Sequence, residues 1–114
     1  MSRDWRLYWD DMTTAAEKVI RYTSGMDARS FSSDEKTRDA VLRNLEVIGE
    51  AVKRIPADEL NRTGSLEWHK VAGFRDIVAH AYFAIDDGIL WDIVSNKVPA
   101  LAAALKNKKP VPDR

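Results

Sequence analysis

The sequence of 114 residues contains no cysteine, five glycines and four prolines, and its 18 Lys and Arg residues balance its 18 Asp and Glu residues. The absence of cysteine excludes a disulfide framework and thiolate chemistry. Zero net charge argues against extensive non-specific binding to nucleic acid, because such binding needs many phosphate contacts, but it permits a local basic pocket. No apolar run approaches the roughly 20 residues of a membrane-spanning helix. The first residues lack the basic and then apolar pattern of a signal peptide, so we expect a soluble cytoplasmic protein.

The apolar residues recur every three or four positions, which is typical of amphipathic helices, and no alternating run indicates a strand. A first helix is predicted over residues 4–23. The spacing of Ser32 and Glu35 fits a capping box that opens a second helix, and Pro56 ends that helix near residue 55. The second helix carries one clear apolar stripe, which consists of Val41, Leu45, Ile48, Val52 and Ile55.

Three further helical segments follow. Residues 57–62 form at most one short turn, and Ser65 caps a third long helix that reaches about Phe83. Asp86 caps a last helical region, which Pro99 kinks or splits because proline removes a hydrogen bond and clashes with the preceding turn. Four long helices joined by short connections predict an all-α fold, an antiparallel bundle of four or at most five helices. We expect a single domain over residues 1–114, with a flexible basic tail at 106–114.

The third predicted helix concentrates the residues that can carry chemistry. Arg75, Asp76, His80 and Tyr82 fall within eight positions of an otherwise apolar segment. At about 100° per residue, Asp76 and His80 share a face, whereas Arg75 and His80 diverge by about 140°. One helix therefore points its guanidinium and imidazole groups in different directions, but two copies that meet across a two-fold axis bring both into one cleft. This geometry predicts a homodimer.

A simpler interpretation stays open on spacing alone. In it, Asp76 and His80 form a surface pair one helical turn apart, Arg75 is solvated, and the ring of Tyr82 packs. A zinc site is not predicted, because the only histidines are His69 and His80 and no further ligands stand at a suitable spacing. We interpret His69 as an ordinary surface residue.

The motif Arg75-x4-His80-x-Tyr82, with the polar Asp76 after the arginine, resembles the signature of the HEPN superfamily, and its tyrosine is similar to that of the HepT-like branch. The likeness extends over nearly the whole chain. It includes the segments Ile48-Gly49-Glu50-Ala51, Gly73-Phe74-Arg75, Ile85-Asp86 and Leu90-Trp91, together with Trp68, Pro99 and Leu101.

The resemblance implies a ribonuclease toxin that cleaves RNA without a metal or other cofactor, with Arg75, His80 and Asp76 as catalytic residues. Histidine moves protons near neutral pH, and arginine offers a permanent cation to a phosphorane. The resemblance also implies two partners besides RNA: a second copy of the chain and a minimal nucleotidyltransferase antitoxin, which can transfer AMP to Tyr82.

Two other functions are consistent with the sequence. The bundle can be a non-catalytic subunit that holds a nucleotide or substrate for a nucleotidyltransferase, or a purely structural dimerisation domain. Substrate contacts are expected from Lys70 and Arg75, with Lys53 or Arg54 as further candidates. We interpret Glu46 and Glu50 as a solvated face. We interpret Gly49 as a site of close helix packing, and the tryptophans Trp5, Trp9 and Trp91 as core or interface residues.

Overall fold

A computed structural model describes residues 3–62, 67–81 and 86–107, and within these ranges the chain forms helices and no strand. The prediction of an all-α fold is therefore confirmed. The helices are α1 (Trp5–Tyr22), α2 (Ala28–Ser33), α3 (Glu35–Lys53), α4 (Ala57–Asn61), α5 (Trp68–Ala72), α6 (Phe74–Ala81), α7 (Asp87–Asp92), a π-helical segment (Ile93–Lys97) and α8 (Val98–Asn107).

The first helix has the predicted bounds to within one residue at each end. Asp4 precedes α1, and its carboxylate accepts a hydrogen bond of 2.9 Å from the backbone N–H of Arg6, which satisfies one of the free donors at the helix start. Trp9, Met12 and Val19 are buried on one side of α1, and this side packs against α3 and α8. The apolar periodicity therefore identified the buried face correctly.

The predicted N-cap of the second long helix was wrong. Ser32 does not cap α3 but lies inside α2, a short helix that the sequence did not predict. The α3 cap is Asp34, whose carboxylate accepts the backbone N–H of Thr37 at 3.0 Å. A true capping box opens α2, where Asp27 and Ser30 each accept the other's backbone N–H. The two caps are seven positions apart and leave room for the six residues of α2 between them.

The third predicted helix is broken in two. The carbonyl of Gly73 accepts the N–H groups of Asp76 and Ile77 at 3.0 and 3.1 Å, so it acts as the start of α6, while its own N–H closes α5 on the carbonyl of His69. Glycine favours such a junction because it is a poor residue for a helix interior. The predicted ends at Ser65 and Phe83 lie outside the described residues.

The last helical region begins as predicted and is interrupted before the proline. Asp86 caps α7 by accepting the N–H groups of Gly88 and Ile89. The π-helical segment then ends at Lys97, two residues before Pro99. The wider turn changes the hydrogen-bonding register where proline has no N–H to donate. Lys106 and Asn107 still belong to α8, so the helix extends past the predicted start of the tail; residues 108–114 lie outside the described residues.

A single apolar core joins these helices in the described part of the chain. All five residues of the predicted α3 stripe are buried in it, and the other elements contribute Phe31, Trp68, Phe74, Val78, Leu90, Val98, Leu101 and Leu105. Gly49, near the end of α3, adjoins Arg75 of α6, and Arg38, near the start of α3, pairs with Asp87 of α7. From α6 to α7 the chain therefore passes along α3 in the opposite direction. None of the described helices has both the length and the apolar character needed to cross a membrane.

Candidate active site

The motif helix α6 has one buried face and one solvent face. Phe74 and Val78, one helical turn apart, are buried in the core, and Ile77 beside them is half-buried. Arg75 and Asp76 are exposed. The apolar residues thus fix the helix on the bundle by its inner side, and the chain presents the arginine and aspartate of the motif to solvent.

Gly49 fixes the distance between α3 and the start of α6. A Cβ atom on Gly49 would lie 3.0 Å from both the Cβ and the backbone nitrogen of Arg75, and 3.1 Å from the carbonyl oxygen of Ala72. These separations are tighter than nine in ten real Cβ contacts, so any larger residue would push Arg75 and Ala72 away by a few tenths of an ångström, whereas glycine fits the approach as it stands. The prediction of close helix packing at Gly49 is confirmed, and the helix that packs there is the motif helix.

The residue after Gly49 contacts the arginine of the motif. Oε2 of Glu50 accepts a hydrogen bond of 2.7 Å from Nη1 of Arg75, and both side chains are partly exposed, at 39% and 49%. The other oxygen, Oε1, accepts Nε and Nη2 of Arg54 at 3.3 and 3.2 Å. One carboxylate therefore lies between two guanidinium groups.

The interpretation of Glu50 as part of a solvated face agrees with its 39% exposure, but it missed the ion pairs with Arg54 and Arg75. The sequence did contain a signal for the Glu50–Arg54 pair, because these residues are one helical turn apart, the spacing at which opposite charges pair. The contact with Arg75 had no local signal, since it depends on how two helices pack.

The other motif residues are described to different extents. Asp76 lies in the first turn of α6, where its negative charge is favourable next to the positive end of the helix dipole. His80 lies on the same continuous helix one turn later, so the predicted angular relations on one helix hold for the backbone. The side chain of His80 and the whole of Tyr82 lie outside the described residues.

The remaining candidate contact residues lie on helix surfaces. Lys70 is on α5, and its Nζ atom lies 2.8 Å from a carboxylate oxygen of Glu67. The hydrogen bond and the charge of this ammonium group hold the pKa of Glu67 below its ordinary value. His69 is exposed, as expected of a surface residue, and Lys53 is exposed at the end of α3.

An apolar groove with a volume of about 530 Å³ adjoins the inner side of α6. It runs between α5 and α6 on one side and α7, the π-helical segment and α8 on the other, and its apolar lining includes Val71, Ile77, Ile89 and Ile93. Ile89 is 54% exposed, so it adds apolar surface to the rim of the groove.

Comparison with known proteins gives a consistent result. Residues 12–107 match the family model described as "Ribonuclease HepT-like". The chain is 43% identical over 97 residues to "Putative RNase MJ0127" of Methanocaldococcus jannaschii, which covers 85% of this chain and 80% of that protein. It is 38% identical over 101 residues to "Probable ribonuclease HepT" of Thermococcus cleftensis, which covers 89% of this chain and 92% of that protein. No solved structure matches the chain.

Proposed function

The chain belongs to the ribonuclease HepT-like family, and from that premise we propose that it is an endoribonuclease whose catalytic residues are Arg75, His80 and Asp76. The observation that carries the proposal is the family match over residues 12–107, which contains the whole motif. The exposed position of Arg75 on α6 supports it, because a phosphate can reach the guanidinium group from solvent.

The proposed reaction is an attack by a ribose 2′-hydroxyl on the adjacent phosphate. The 2′ oxygen–phosphorus bond forms and the bond from phosphorus to the 5′ oxygen breaks, which leaves a 2′,3′-cyclic phosphate and a 5′-hydroxyl. One group takes the proton of the 2′-hydroxyl, another supplies a proton to the leaving oxygen, and imidazole suits both tasks near neutral pH. Arg75 stabilises the charge on the non-bridging oxygens, and Asp76 orients His80.

The working unit in this proposal is a homodimer. On one helix Arg75 and His80 diverge by about 140°, so a single copy does not point both groups at one phosphate. A two-fold axis near α6 lets the arginine of one copy and the histidine of the other share a cleft. The apolar groove beside α6, with its exposed Ile89, supports the presence of a second copy on this side of the bundle.

An RNA cleavage assay in EDTA tests the proposed reaction. We expect wild-type protein to cleave single-stranded RNA to products with 2′,3′-cyclic phosphate ends, identified by mass spectrometry, and His80→Ala to lose this activity. His69→Ala is the matched control, since it removes the other histidine, which is exposed. Binding of RNA without cleavage above background would contradict the proposal and favour the non-catalytic binding subunit.

We further propose that the ribonuclease is the toxin of a toxin–antitoxin pair, neutralised by a minimal nucleotidyltransferase. The phenol oxygen of Tyr82 attacks the α-phosphorus of ATP, the new oxygen–phosphorus bond adds AMP, and pyrophosphate leaves with loss of the phenol proton. An anionic adenylate two residues from His80 repels an RNA phosphate. The resemblance of the motif supports this step.

The adenylylation proposal has its own test. After incubation with ATP and the proposed nucleotidyltransferase antitoxin, we expect the peptide that contains Tyr82 to gain the mass of AMP and RNA cleavage to cease. Tyr82→Phe should gain no mass and remain uninhibited. An unmodified Tyr82 peptide, with inhibition unchanged in Tyr82→Phe, would instead indicate neutralisation by binding alone.

A further inference from the structure

A cluster of three side chains, Arg54, Glu50 and Arg75, joins the end of α3 to the start of α6. We propose that Arg54 binds the RNA phosphate next to the one held by Arg75, and that Glu50 is a positioning residue that keeps the two guanidinium groups side by side. This inference rests on the proposed function, because it extends the substrate site of that ribonuclease by one nucleotide.

The hydrogen-bonding pattern leaves donors available on both arginines. Arg54 uses Nε and Nη2 on Oε1 of Glu50, and Arg75 uses only Nη1 on Oε2. Within the described ranges, Nη1 of Arg54 and both Nε and Nη2 of Arg75 have no protein acceptor. The side chains of Arg54 and Arg75 are 58% and 49% exposed, so an incoming phosphate has access to these donors.

The charge of the cluster favours an anion. Two guanidinium groups and one carboxylate give a local charge of +1, whereas the whole chain is neutral. The carboxylate holds each arginine by one side and leaves the other side for charge-assisted hydrogen bonds to phosphate oxygens. Because the two groups contact different oxygens of one carboxylate, they lie side by side, where neighbouring phosphates of one RNA strand can each meet one of them.

The packing of α3 on α6 makes this arrangement specific to these positions. Gly49 brings the backbone of Arg75 against α3, and Glu50 is the next residue, so its carboxylate lies within hydrogen-bonding distance of Arg75. Arg54 follows one turn later on the same face of α3. A longer residue at 49 would separate Arg75 from both partners.

RNA binding to a non-cleaving protein tests the role of Arg54 separately from catalysis. In a His80→Ala background, a short fluorescein-labelled single-stranded RNA is titrated and its anisotropy followed at several salt concentrations. We expect Arg54→Ala to raise Kd about three- to tenfold and to reduce the slope of log Kd against log salt by about 0.7. A dinucleoside monophosphate, which has a single phosphate, should compete equally well for labelled RNA in both proteins.

Arg62→Ala is the matched control, because Arg62 is an exposed arginine paired with Glu59 at 3.1 Å. If Arg54→Ala and Arg62→Ala have the same Kd and the same salt slope, Arg54 is not a phosphate-binding residue and the inference is overturned. Failure of wild-type protein to cleave RNA would instead overturn the proposed function, and it would leave the binding comparison intact.

A double-mutant cycle tests Glu50 as a positioning residue. In the Glu50→Gln background, we expect most of the effect of Arg54→Ala on Kd to disappear, because the arginine is no longer held beside Arg75. Glu59→Gln is the control and should leave that effect unchanged. If Glu50→Gln only tightens RNA binding and the Arg54→Ala effect stays the same, Glu50 repels the substrate and does not position the arginines. Circular dichroism checks that each variant keeps its helical content.

Discussion

Glu50 and Arg75 are 25 positions apart in the sequence, yet their side chains form an ion pair of 2.7 Å. The pair exists because Gly49 lets α6 approach α3 until the backbone of Arg75 lies against it. The absence of a side chain at Gly49 therefore determines the position of Arg75. The geometry of the candidate site depends on helix packing as much as on the motif itself.

The first prediction concerns Gly49→Ala. In an ordinary helix interior this change stabilises by up to about 1 kcal/mol, because glycine is the poorer helix former. Here the new methyl group meets the carbonyl oxygen of Ala72 and the backbone nitrogen and Cβ of Arg75, so the junction between α5 and α6 must shift away from α3 to admit it. We expect the free energy of unfolding, measured by urea denaturation, to fall by about 1–3 kcal/mol, as for an overpacked core, and RNA cleavage to fall with it.

Ala103→Gly is the reference for this measurement. Ala103 is exposed on α8, so the exchange of alanine and glycine there changes the free energy of unfolding through helix propensity alone. A Gly49→Ala protein as stable as wild type, with full activity, would show that α3 and α6 separate at little cost.

The second prediction concerns Arg75→Lys. Lysine keeps the positive charge but lacks the planar fork that donates to two phosphate oxygens at once. We expect RNA cleavage to fall by at least about a hundredfold, while the free energy of unfolding changes by no more than about 1 kcal/mol, because the ion pair with Glu50 is partly exposed. Initial rates and urea denaturation measure the two effects. Activity close to wild type would mean that Arg75 supplies only charge.

The sequence was sufficient to predict most of the fold. The apolar stripe of α3 is regular over four turns, so its buried face followed from periodicity, and the bounds of α1 followed in the same way. The short helix α2 was missed because six residues are too few to show a helical period. The break at Gly73 was missed because the apolar stripe continues through it, from Val71 to Phe74 and Val78.

Less of the candidate site could be predicted, for a physical reason. The motif residues Arg75 and Asp76 were correctly placed on one helix, since helical spacing is local information. The partner of Arg75 was not found, because a contact between α3 and α6 is decided by tertiary packing. Gly49 was the usable signal: a glycine inside a long helix indicated a close neighbour, although not which one.

The third prediction concerns stability in acid. The backbone N–H and the hydroxyl group of Thr37 donate to the carboxylate of Asp34 and hold its pKa below the ordinary value of 3.8. A lowered folded-state pKa adds stability above the unfolded-state value, and this contribution is lost as the pH falls through the folded-state pKa. We expect the urea midpoint to decrease as the pH falls below about 4, and less steeply in Asp34→Asn.

Asn is as good an N-cap acceptor as Asp, so Asp34→Asn should keep the helix start through the bond from the Thr37 N–H. It removes the titration and the second oxygen, which accepts the Thr37 hydroxyl. Asp34→Ala, which also removes the N-cap acceptor, should have a lower urea midpoint at neutral pH than Asp34→Asn. A decrease in acid that is identical in wild type and Asp34→Asn would assign the acid sensitivity to other carboxylates, among them Asp27, whose pKa is lowered by Ser30 in the same way.

The fourth prediction tests the shared cleft by mixing two inactive proteins. If the arginine of one copy acts with the histidine of the other, a heterodimer of Arg75→Ala and His80→Ala chains still contains one intact pair. After unfolding and refolding together, half of the dimers are mixed and each has at most one of two pairs, so we expect recovery of about a quarter of wild-type activity. Each variant refolded alone should stay inactive. Dimer formation is checked by sedimentation, and a mixture of stable heterodimers that remains inactive would place both groups of each working site on one chain.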